Sequence, residues 1–275
     1  MLDLRSMQEA SWRRILIVCV SCAIIDWACV NILSGRIAGI ELATYGLVQS
    51  TLVFSGLTLL VVVPPMFLPP YQLQTKAVGL RASHVPLGIA ITIGAWTLLQ
   101  LTLAITDLRL GGRTVPIAAA WHSDRWTWEI GSFTSQIFGN ALVEELIFRG
   151  YLLPQFYLKL GGKKDQITWR PLVGAVVVSQ FCDTLAHIPN LHNIAIPGLS
   201  PPEQLAQLFI IAVLFAILYI RTANIFVCVG FHTLLNAPMP LIEPMIQPQT
   251  VIFVMMLVVL VVWRAPSKSG RSQHV

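Results

Sequence analysis

Glu144-Glu145-Leu146-Ile147-Phe148-Arg149 lies inside a stretch, 133–158, that otherwise reads as membrane helix. Ionisable side chains at bilayer depth cost about 2.5–3.5 kcal/mol each on conservative scales, and they are kept where they pair or do chemistry. The rest of the composition makes the membrane reading firm. Hydrophobic residues make up 55% of the 275 and charged residues 11%, with a mean hydropathy of +0.71. A water-facing domain carries about 25% charged residues, so this chain lacks the charge to cover a solvated surface.

Working outward, apolar runs recur at 15–34, 44–68, 85–106, 133–158, 171–188, 204–220, 223–240 and 250–263. At about 20 residues per span they predict about eight transmembrane helices. The expectation is an all-α, polytopic integral membrane protein enclosing an intramembrane cavity. It reads as a single membrane domain over 1–275, with a helical bundle at 15–266 and a polar, disordered tail at 267–275. The first run follows Arg13-Arg14 and lacks a small-residue cleavage site, so it reads as a retained span.

Basic residues set the orientation. With the N terminus inside, 13 of the 18 Lys and Arg fall on inner segments and 4 (Arg36, Arg109, Arg113, Arg125) on outer ones, with Arg149 in the membrane. Both termini are therefore expected in the cytoplasm. That distribution also accounts for the net charge of +5, so no nucleic-acid partner is expected; the lipid bilayer is the surface these charges face. Short loops without targeting extensions point to a bacterial inner membrane. The longest outer connection, 107–132, holds Trp121, Trp126 and Trp128 and reads as an interfacial segment. Pro69-Pro70, a Gly161–Lys164 loop and Pro197–Pro202 mark further breaks. The five cysteines read as packing residues in apolar helices.

Three runs contribute chemistry. Glu145 and Arg149 are i and i+4 with the acid first, the favourable order. Glu144 is turned about 100° around the helix from Glu145. One carboxylate can thus be held by arginine while the other stays free to act as a general base in a low-dielectric cleft. His232 and Asn236 are also i and i+4, and both can donate to a developing oxyanion. His187 ends its run, with Asp183 one turn earlier, placed to hold the second imidazole nitrogen. Asp26, in the first span, reads as a residue paired with a neighbouring helix, with a proton path as the alternative. His192 reads as a loop residue, and His84, His122 and His274 as interfacial or tail positions.

Glu-Glu-x-x-x-Arg at 144–149, His187 ending a later span and His-x-x-x-Asn at 232–236 resemble the CPBP membrane proteases. These are the type II CAAX prenyl endopeptidases and their bacteriocin-processing and immunity relatives. The resemblance covers 76–240, counting Gly79-Leu80-Arg81 as the short inner motif, and marks that stretch as the protease core. It implies a glutamate-dependent intramembrane protease without a cofactor. Glu144 would activate water with His187, His232 and Asn236 would form the oxyanion hole, and Glu145 and Arg149 would brace the site. The middle motif of that family reads Phe-x-x-x-His, whereas Asp183 stands here where the aromatic belongs.

The chemistry is consistent with the resemblance. Peptide hydrolysis needs a base for water, donors for the oxyanion and an acid for the leaving amine, and Glu144, His187, His232 and Asn236 supply these parts. No serine or cysteine has a base beside it in sequence, so a covalent route lacks support. The expected substrate is a membrane-associated or prenylated polypeptide. Three alternatives stay open: a zinc protease with Glu144, His187 and His232 as ligands, a non-catalytic immunity or scaffold protein, and a proton-coupled transporter, which would show paired half-helices.

Overall fold

The computed structural model describes Leu4, 7–67, Thr75, 78–111, 115–123, 125–191 and 198–263. The expected tail at 267–275, Pro69-Pro70, Arg113, His192, Pro197 and His274 lie outside the described residues. Eight helical passes, and no strand among the described residues, form the chain. They are α1 (Trp12–Ala43), α2 (Ser50–Phe67), α3 (Val85–Thr106), α4 (126–159), α5 (Trp169–Ala186), α6 (Pro201–Thr222), α7 (Ile225–Asn236) and α8 (Pro248–Val262). Helices containing α1, α3, α5 and α6 are long and apolar enough to cross a membrane, whereas α7, α8 and the apolar part of α2 are shorter. This is an all-α polytopic membrane protein.

Two sets of hydrogen bonds show which helix ends lie together. At one rim, Gln49 Nε2 donates to the Trp128 carbonyl at 3.1 Å, Trp121 Nε1 to Pro240 at 2.7 Å, and Leu241 N–H to Gln100 Oε1 at 2.8 Å. An isolated antiparallel bridge joins Ile117 to Ile242 beside them. At the opposite rim, Ala10 N–H donates to Gln155 Oε1 at 2.7 Å, Asn224 Nδ2 to the His84 carbonyl at 3.0 Å, and Arg221 Nη2 to Trp263 at 3.3 Å. Thr168 N–H donates there to the Tyr157 hydroxyl at 3.0 Å. The first rim gathers the starts of α2, α4 and α8 with the ends of α3 and α7. The second gathers the starts of α1, α3, α5 and α7 with the ends of α4, α6 and α8.

One boundary differs from expectation. The outer connection is shorter than 107–132, because 126–132 form the first turns of α4. Glu129 in the first turn suits a helix N-terminus, and the Gln49–Trp128 bond anchors that turn against the start of α2. Gly131 lies so close to Gly46 that a Cβ there would collide with its carbonyl oxygen.

The helix that carries His232 is placed by a tight reversal. Ala223 adopts a left-handed conformation (φ 50°) and donates its N–H to Tyr219 at 2.8 Å, ending α6. Asn224 then caps α7, accepting from Phe226 N–H at 3.0 Å. Small residues let α7 approach α3 closely, as membrane helix pairs require: a Cβ on Gly88 would strike Phe226, and one on Gly230 would strike Thr92. At 12 residues, α7 is about 18 Å long, well short of the roughly 30 Å hydrocarbon core. It therefore stops inside the bundle, four residues after His232.

Gly230→Leu forces α7 away from α3 and is expected to cost about 1–3 kcal/mol, the usual range for overpacking. Gly94→Leu, on the same α3 but with open space around it, is expected to be neutral. Thermal melts of the two detergent-solubilised variants check this contrast.

Candidate active site

α4 is one continuous helix with two π-helical stretches, Gln136–Asn140 and Glu145–Leu152, flanking the α-turn Ala141–Glu144. π-turns carry i→i+5 bonds and concentrate at functional sites. Here the change of pitch falls between the two glutamates, and every residue from Glu145 to Leu158 is buried. Such a segment places charged groups at the centre of the bundle, where only other side chains can satisfy them.

Arg149 satisfies most of them. Its Nη1 lies 2.8 Å from Asp183 Oδ2 on α5 and 3.3 Å from Glu145 Oε1 one turn back, and Nη2 donates to the Ala212 carbonyl of α6 at 3.3 Å. The guanidinium also stands over the Phe215 ring, 5.5 Å from its centroid, a favourable cation–π placement. One residue thus binds α4, α5 and α6 together.

His232 stands between the two glutamates. Its Nδ1 is 2.9 Å from Glu145 Oε1 and its Nε2 3.6 Å from Glu144 Oε2, with the ring packed on Phe215 at a centroid distance of 5.1 Å. A carboxylate accepts only, so Nδ1 carries the proton toward Glu145, and Nε2 can donate only when the ring is doubly protonated. His187 approaches Glu144 from the other side, Nε2 to Oε1 at 3.8 Å. Both gaps exceed a hydrogen bond, so Glu144 is bordered by two imidazoles without being tied to either.

The structure brings together Glu144, Glu145, Arg149, Asp183, His187 and His232, the residues the sequence singled out, with Asn236 on the wall of the same cavity. Asp183 is used differently from expectation. Its carboxylate pairs with Arg149, and it is the Asp183 main-chain carbonyl that meets His187 Nδ1, at 3.0 Å. The cause is local: His187 caps α5, where the carbonyl four residues back is within reach, while the buried guanidinium attracts the carboxylate. α5 runs unbroken to Ala186, and the site lies toward the rim where α5 and α7 both end.

That cavity has a volume of about 760 Å³. Seven carboxamides line it, among them Gln136, whose Oε1 accepts from Asn236 Nδ2 at 3.0 Å. Gln136 was missed in the sequence, although a glutamine eight residues before Glu144 in an apolar run was a usable signal. Asp26 also lines the cavity, and its Oδ2 is buried without a hydrogen-bond partner. Expected to pair with a neighbouring helix, it faces the cavity instead.

The candidate metal-ligating atoms that meet among the described residues come from Glu144, Asp183 and His187, all within 4.8 Å of one another. Asp183 stands in this trio where the sequence reading placed His232. The donor types suit zinc, and Asp183 Oδ1 is buried without a partner. A dication there would stand beside the Arg149 guanidinium, which already neutralises Asp183, so the fit is poor.

Residues 126–238 match the family described as type II CAAX prenyl endopeptidase Rce1-like. The Rce1-like match covers 113 of the 275 residues. It starts at the first residue of α4 and ends two residues past α7, so it spans every helix that supplies a charged group to the Arg149 cluster. That family is one of membrane proteases, consistent with the CPBP group. No curated protein and no solved structure matches the chain.

Arg149→Met leaves Glu145 and Asp183 buried and unpaired and is expected to cost about 3–5 kcal/mol. Removing the orphaned charges in Arg149→Met/Glu145→Gln/Asp183→Asn is expected to restore much of that loss. Thermal melts of the single and triple variants check it.

Proposed function

We propose that the protein is an intramembrane endopeptidase that hydrolyses a peptide bond of a membrane-associated or prenylated polypeptide with water activated by Glu144. The observation that carries this reading is the division of labour between adjacent carboxylates. Glu145 is engaged by Arg149 and His232, whereas Glu144 faces the cavity with an imidazole on each side.

In this mechanism Glu144 takes a proton from water as its oxygen attacks the scissile carbonyl carbon. His187, its Nδ1 side fixed by the Asp183 carbonyl, keeps Nε2 toward Glu144 and helps orient the water. Charge develops on the carbonyl oxygen, and the Asn236 amide with doubly protonated His232 are the donors for it. Collapse of the tetrahedral intermediate breaks the C–N bond, and the proton held by Glu144 passes to the leaving nitrogen. Glu145 and Arg149 position His232 and do not touch the substrate.

Zinc dependence is the second reading, and Glu144, Asp183 and His187 are the ligands it would use despite the poor fit beside Arg149. A panel of membrane-embedded and prenylated peptides, with and without chelator, separates the two. Cleavage is expected to survive chelator and to fall about 10²–10⁴-fold in Glu144→Gln, the range for general acid–base groups, with an unchanged melt. Asn236→Ala is expected to lose about 10²–10³-fold in kcat, as for a single oxyanion donor. Loss of activity on chelation would favour zinc. A Glu144→Gln chain that fails to fold would favour a non-catalytic role.

A further inference from the structure

We infer that the active-site cavity opens on the non-cytoplasmic side of the membrane, so that its substrate enters as an extracytoplasmic polypeptide segment. This deepens the hydrolase reading and rests on it for the nature of the occupant.

The opening follows from which part of each helix lines the cavity. α2, α6 and α8 contribute from their first halves, Thr51 to Thr58, Gln204 to Ile211 and Gln249, while α5 and α7 contribute only from their ends, through His187 and Asn236. The cavity thus runs from mid-depth, at Asp26 of α1, toward the rim formed by residues 49, 128 and 240. Gln207, Asn236 and Gln249 are exposed at its lip. Toward the other rim the way is closed: α4 is buried without interruption to Leu158, and Gln155 there bonds the segment before α1 at Ala10 N–H and the Gln8 carbonyl.

Charge identifies the two rims. Among the described residues the closed rim holds Arg13, Arg14, Arg81, Lys159, Lys163, Lys164, Arg170 and Arg221, and the open rim Arg36, Arg109 and Arg125. By the positive-inside rule the closed rim is cytoplasmic. The lining agrees with a polypeptide occupant. It holds seven carboxamides, each a donor and an acceptor suited to an extended peptide backbone, and Asp26 and Glu144 as its acids. Neither Lys nor Arg is among the described lining residues.

The test is thiol labelling in sealed bacterial spheroplasts with a membrane-impermeant maleimide, using single cysteines in a chain whose five native cysteines are alanine. Thr51→Cys and Gln207→Cys report the cavity, Ser200→Cys the open rim and Lys164→Cys the closed rim. The expected result is labelling of the first three in sealed cells and of Lys164→Cys only after permeabilisation. Two results would overturn the inference: cavity positions that label with Lys164→Cys or not at all, or Ser200→Cys that labels only after permeabilisation. Reporters fused after Val275 read orientation with the cysteines intact, and an active periplasmic phosphatase there would also overturn it. Labelling needs no turnover, so a catalytically inert chain would sink the hydrolase reading while leaving the sidedness standing.

Discussion

A guanidinium buried to 1% exposure is the constraint on which the rest depends. Arg149 has no route to water, so its charge must be balanced inside the bundle, and two carboxylates from different helices do so at 2.8 and 3.3 Å. Buried pairs of this kind contribute little net stability against apolar isosteres, but they are costly to break. Their value here is geometric. They fix the rotation of α4 relative to α5, and the bond to Ala212 brings in α6.

Once Glu145 and Asp183 are committed to Arg149, the remaining groups have distinct roles. Glu145 Oε1 is shared between Arg149 and His232, which sets the imidazole's tautomer and turns its Nε2 toward Glu144. Glu144 faces the cavity because it is the last residue of an α-turn, before the π-helical stretch that buries its neighbour. Two chemically identical side chains, adjacent in sequence, therefore differ in environment: one is structural and one reactive.

Much of this was legible in the sequence. The membrane setting followed from composition, and the Glu145–Arg149 pair followed from helical spacing, which survives because the two still meet across one turn of the π-helix. What could not be read was direction. Asp183 sits at the right spacing to hold His187, yet its carboxylate turns to Arg149 on another helix, a tertiary attraction no local pattern encodes. Gln136 and Asp26 reach the cavity for the same kind of reason. The first is placed by the α/π alternation of α4, and the second by how α1 leans on the bundle outside the Rce1-like match.

The central claim, that Glu144 activates water and does not itself attack the substrate, is tested most directly by a single turnover in ¹⁸O-water followed by mass spectrometry of product and protein. The account predicts one ¹⁸O in the new carboxylate of the peptide and none in Glu144. Label in the Glu144 side chain would mean a covalent anhydride and would contradict it.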